Sequence, residues 1–142
     1  MKKTKLIEDK LDDLVKLMLI KGVQPSELAD NVFLCDYKSI RFYKKNDLII
    51  GELIFEEINE KGSSVEVLLR YYYNKSNRVI LIEEELNNQI KVLWDREFKE
   101  IDLLNQIVFL LRELDVKYVY KFISSLPLEL SDKVKKEYEK TA

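Results

Sequence analysis

Between Leu48 and Asp95 apolar and polar residues alternate almost without pause, and the pattern breaks only at Asn59-Glu60-Lys61-Gly62, Asn74-Lys75-Ser76-Asn77 and Asn87-Asn88. A period of two bounded by turn-forming residues predicts a meander of antiparallel strands. Leu48 to Ile58 is one long strand, with Gly51 as a bulge or a point of close approach. In the next, Val65, Val67, Leu69, Tyr71 and Tyr73 share one face, while Glu66, Leu68, Arg70 and Tyr72 share the other. Val79 to Leu86 and Gln89 to Trp94 complete the run. Asn87-Asn88 makes a two-residue hairpin turn between them, because Asn tolerates the left-handed backbone such turns need. Strand character starts at about Val32, and residues 38–45 supply a further strand that reverses at Asn46-Asp47.

Helical spacing governs both ends. Ile7, Leu11, Leu14 and Met18 recur on one helical face, widened late by Val15, Leu17, Leu19 and Ile20, with Gly22 as the stop. Pro25-Ser26-Glu27 opens a short second helix. After Asp95 the period returns to 3.6. Ile101, Leu104, Val108 and Leu111 line one face, thickened by Leu103, Ile107, Leu110 and Leu114. Asp115 marks a joint before Val116, Val119, Tyr120 and Ile123, and Pro127 breaks the pattern. Ser131 then caps a last helix of Lys133, Lys135, Lys136, Glu137 and Lys140, whose apolar contacts are Val134 and Tyr138. The expected fold is a single α+β domain over residues 1–142: helices at 4–31, a sheet of four to five strands at 32–95, and helices at 99–140.

Composition narrows the chemistry. The chain has 142 residues, 46% of them apolar, enough to bury a core. Twenty-four basic side chains face 26 acidic ones, so no global field draws nucleic acid or anionic lipid. With no histidine, Ser-His-Asp and Cys-His nucleophile systems, His-ligated zinc or haem and imidazole acid–base catalysis all fall away. Cys35 is the single cysteine, and its apolar neighbours Val32-Phe33-Leu34 predict a buried structural thiol in a reducing cytoplasm. The opening Met1-Lys2-Lys3 is followed by Glu8, Asp9, Asp12 and Asp13 where a signal peptide needs apolar residues. No apolar stretch is long enough to cross a bilayer, so a cytoplasmic protein without membrane contact is expected.

Three segments carry candidate chemistry. Lys21-Gly22 followed by Glu27-Leu28-Ala29 is similar to the opening of a Cro/repressor-type helix-turn-helix. In that family the first helix ends in Lys-Gly and the second places a small residue where two helices cross. The resemblance implies a DNA-binding regulator reading through residues 12–45, with Arg41, Lys44 and Lys45 on phosphates from a third helix. The departures are Phe33 in place of the tight-turn Gly and Ile40 one position late. Ile40-Arg41-Phe42-Tyr43 also reads as a strand.

The second segment is Arg70-Tyr71-Tyr72-Tyr73. Arg41, Tyr43, Arg70, Tyr72 and Lys91 are expected to share a solvent-facing sheet surface, whose positive potential is offset by Glu83, Glu84 and Glu85 on the neighbouring strand. Tyrosine and arginine are frequent interface anchors, so a protein partner is expected there ahead of a single-stranded nucleic acid. Self-association through Tyr71, Tyr73 and Trp94 is a further expectation. The third is Asp95-x-Glu97-x-Lys99, which resembles the acid-and-lysine run of restriction-type nucleases. Here it straddles a strand-to-helix junction, where a helix N-terminus favours acids anyway. No catalytic residue, metal or cofactor is expected. The leading reading is a binder, inhibitor or chaperone-like regulator of another protein; the alternative is the DNA-binding regulator.

Overall fold

Residues 2–140 are described by the structure, a computed structural model, and their backbone divides into two compact units. The first comprises Met1–Leu19 with Glu97–Ala142, and the second is Ile20–Arg96. The chain is therefore α+β, with an N-terminal helix, a sheet, and C-terminal helices.

In the second unit, five strands run β1 (Tyr37–Lys45), β2 (Leu48–Ile58), β3 (Ser64–Tyr73), β4 (Val79–Leu86) and β5 (Gln89–Asp95). They pair in chain order, each antiparallel to its neighbours. The turns at Asn46-Asp47 and Asn87-Asn88 are held by residues with positive φ at both positions, as two-residue hairpins of the right twist require. Gly51 sits where a Cβ would lie 2.6 Å from Cε1 of Phe42 on the adjacent strand. It is a close-approach glycine with no bulge in the register.

One face of this sheet carries the unit's apolar core. Leu53, Tyr73 and Val79 are buried there with Leu28, and Ile40, Phe42, Leu69, Tyr71, Ile82 and Trp94 pack around them. Leu28 comes from α2 (Pro25–Ala29), a single turn whose start at Gln24 is stabilised by a capping box with Glu27. The chain enters the unit through Gly22, whose φ of +83° and 2.7 Å approach to Val79 Cγ2 both exclude a side chain. Arg96 ties the end of the unit's chain back to the same region. Its buried guanidinium donates from Nε to the Val79 carbonyl at 2.7 Å and from Nη2 to the Ile20 carbonyl at 2.6 Å.

The other unit is helical: α1 (Lys2–Leu19), α3 (Arg96–Leu111, contributing from Glu97), α4 (Val116–Ser124) and α5 (Leu128–Lys140). Its core is built from Ile7, Leu11 and Leu14 of α1, Leu104, Ile107, Val108 and Leu111 of α3, Val119 and Ile123 of α4, and Leu130, Val134 and Tyr138 of α5. Asp115 caps α4 by accepting from the Lys117 amide.

Several expectations are corrected. Residues 37–45 are strand β1, so the third helix that a DNA-reading helix-turn-helix needs does not form. Phe42 and Ile40 belong to the sheet's apolar face, and that tertiary demand sets the conformation. Strand structure begins at Tyr37 rather than Val32, because Asp30–Phe33 close into a 3₁₀ turn after α2. Ser131 lies inside α5, its amide donating to the Pro127 carbonyl. The helix opens at Leu128, directly after Pro127, which adds Leu130 to the buried stripe. Ile101 lies at the edge of α3's buried face and is exposed.

Candidate functional site

The strand register brings Arg41, Glu52, Arg70 and Glu83 side by side across β1 to β4, on the sheet face opposite the apolar core. The next row on that face is Tyr43, Ile50, Tyr72 and Leu81. Four of the five expected site residues are thus together. Lys91 is the correction. It pairs with Glu84, which pairs with Leu69, and this places it on the core-bearing face. A register shift between Ile82 and Glu83 makes β5 residues unsafe to place by counting alternation alone.

The charges on this face form a continuous ladder. Arg41 donates from Nε to Oε1 of Glu52 at 2.7 Å, and Arg70 Nε reaches Oε2 of the same carboxylate at 3.0 Å. Arg70 Nη1 and the Tyr72 hydroxyl both donate to Oε1 of Glu83, at 2.9 and 2.6 Å. Arg70 Nη2 lies 3.9 Å from Glu85, and the Arg41 guanidinium lies 5.1 Å from the Tyr43 ring centroid. Lys38 extends the pattern by bridging Glu56 and Glu66. Glu52 is buried beneath its two arginines, and only Arg41 at the ladder's outer end is largely exposed.

Protonation follows from this packing. Burial works to raise the Glu52 carboxyl, but hydrogen bonds from Arg41 and Arg70 outweigh it and hold the group below the usual carboxylate range. For Arg70, burial opposes the charge while Glu83 and Glu52 more than offset it, so the guanidinium is held charged more firmly than usual. Burial, then the bond to Glu83, pushes the Tyr72 hydroxyl up to about 12. Each charged group of the ladder has its counter-charge within the sheet. Signs alternate along the ladder, and Arg70 and Tyr72 are hydrogen-bonded to Glu52 and Glu83.

The remaining expected sites lie elsewhere. Tyr73 is buried with its hydroxyl donating to the Val23 carbonyl at 2.6 Å, and Tyr71 and Trp94 pack on the same core. They do not form an outward patch. Lys44 and Lys45 end β1 beside the first hairpin turn. Asp95 ends β5, whereas Glu97 and Lys99 lie in the first turn of α3. Among the described residues no group of three or more acids, cysteines or histidines is arranged to hold a metal ion. No helix among them is long and apolar enough to cross a membrane.

One feature escapes sequence reasoning. The run Val32-Phe33-Leu34-Cys35 is outside the core: Val32, Phe33 and Leu34 are 56%, 87% and 53% exposed, and Cys35 is exposed beside Asp36. A 3₁₀ turn followed by a bend leaves this stretch neither strand nor α-helix, so no inward face exists to collect its side chains. The signal is nonetheless present in the sequence. Three adjacent large apolar residues fit neither a period of two nor one of 3.6. The flanks are acidic, with Glu27, Asp30 and Asp36 and no lysine or arginine between Gly22 and Tyr37. Phe98 and Phe109 on α3 are also strongly exposed.

Comparison with protein-family models, with curated proteins and with solved structures finds no match to this chain.

Proposed function

We propose that this is a cytoplasmic, non-catalytic binding module that docks on another protein through the apolar knob Val32-Phe33-Leu34. The observation that carries the reading is Phe33, an aromatic ring 87% exposed at the end of a hydrogen-bonded turn. Leaving such a ring in water forgoes roughly 1.5–3 kcal/mol that burial supplies, and aromatic anchors of this kind dominate binding energies. Its partner has an apolar pocket with a basic rim, because the segment from Gly22 to Tyr37 that carries the knob holds Glu27, Asp30 and Asp36 and no lysine or arginine. The arginine–glutamate ladder acts as the rigid platform behind β1, fixing the strand that the knob leads into.

The test is quantitative affinity capture from cells of the source organism, with wild type and Phe33→Ser side by side. A partner retained by wild type and lost by at least about tenfold with Phe33→Ser, at equal thermal stability of the two baits, supports the reading. Equal retention by both removes it.

A further inference from the structure

We propose that the cleft between the first and third hairpin turns is a binding site for a small phosphate ester. Because β2 pairs with β3 in the register Ile49 to Tyr73, the turn after β1 and the turn after β3 lie at the same end of the sheet. Between them is a cleft of about 370 Å³, within the range of small-ligand sites. Its lining includes Lys44, Lys45 and Lys75, three cations against the single carboxylate of Asp47.

Lys44 and Lys45 are adjacent at the end of an extended strand, and both line the cleft. Among the described residues neither has a carboxylate within ion-pair distance, in contrast to Lys38, which is held by two. Asp47 is offset by Lys75 at 3.8 Å, and both side chains are strongly exposed, so the pair is weak and yields to a stronger anion. The other wall is pre-formed. Asn74 Oδ1 accepts from the amides of Ser76 and Arg78, both at 3.0 Å, which fixes the loop and leaves the Asn74 amide group as a donor. A dianionic phosphate matches the lysines as point charges, and Ile49 offers an apolar floor for the organic part. This site is independent of the knob, so either proposal stands or falls without the other.

The test is an amide chemical-shift titration of the full chain with a nucleoside monophosphate, with inorganic phosphate and acetate as parallel arms. Expected are saturable shifts confined to residues 44–49 and 74–77, tighter for the ester than for inorganic phosphate, with acetate giving none. Lys45→Gln combined with Lys75→Gln weakens binding about tenfold. Asp47→Asn tightens it severalfold, and Asn accepts the left-handed backbone that Asp47 occupies, so the fold survives the change. Shifts spread equally over the lysines of α5, insensitivity to the double lysine change, or weaker binding by Asp47→Asn would each overturn the proposal. Equal affinity for inorganic phosphate and the ester would limit the ligand to a free phosphate ion and reject the ester.

Discussion

Glu52 sits beneath two arginines, and its behaviour follows from which force wins there. Removing the charge by Glu52→Gln leaves Arg41 and Arg70 facing a neutral acceptor in a poorly solvated row, and stability should fall by about 1–3 kcal/mol in denaturant titrations. The pH dependence has a definite sign. The folded-state affinity of Glu52 for a proton is depressed below that of the unfolded chain, so its stabilisation is present above about pH 4.5 and is lost as pH falls through the depressed value. Comparing wild type with Glu52→Gln by acid denaturation isolates that share; curves that stay parallel below pH 4.5 would deny it. Gly22 is a second residue with a sharp expectation. Gly22→Ala meets both a left-handed backbone and the Val79 side chain, and should cost roughly 1–3 kcal/mol by thermal melting. The need for a glycine stop is legible in the sequence. The collision with Val79 is not, because it depends on a partner far along the chain.

At the scale of elements, the meander is almost wholly legible. Leu48–Ile58 and Val79–Leu86 coincide with their alternating runs, since a half-buried strand writes its period directly into the sequence. The turns are legible for a similar reason: Asn87 and Asn88 adopt φ of 51° and 63°, where few other residues are comfortable. Asn88→Ala should therefore lose about 1 kcal/mol while Asn88→Gly does not, as read from paired melting curves. Short elements are harder. The 3₁₀ turn Asp30–Phe33 has no pattern of its own and merges with the strand signal that follows, which is why Cys35 looks like a core thiol in the sequence and is exposed in the fold. At the start of α5, Ser131 is a good capping residue, yet its amide donates to the Pro127 carbonyl and the helix opens at Leu128, directly after the proline. Residues 37–45 carry two readings, and the demand of the sheet's apolar face for Ile40 and Phe42 decides between them.

At the scale of the whole chain, composition alone removes several chemistries, but it leaves the proposed docking site unseen. Absence of histidine and of a second cysteine is a property that can be counted. An exposed hydrophobic knob is a property of what fails to be covered, and that becomes visible only once both apolar cores are complete without it. The aromatic and basic residues that stand out in the sequence are instead consumed within the sheet: Arg70 and Tyr72 are held by Glu83, and Tyr73 is buried against Val23. Phe33→Ser should leave the melting temperature within about 1 °C of wild type, because a ring this exposed contributes little to folding. The most direct measurement is site-specific photo-crosslinking from position 33 in cells of the source organism, with competition by unlabelled protein. A partner docked on Phe33 gives one discrete adduct that wild-type competitor abolishes and Phe33→Ser competitor does not. No adduct, or equal competition by both proteins, would contradict it.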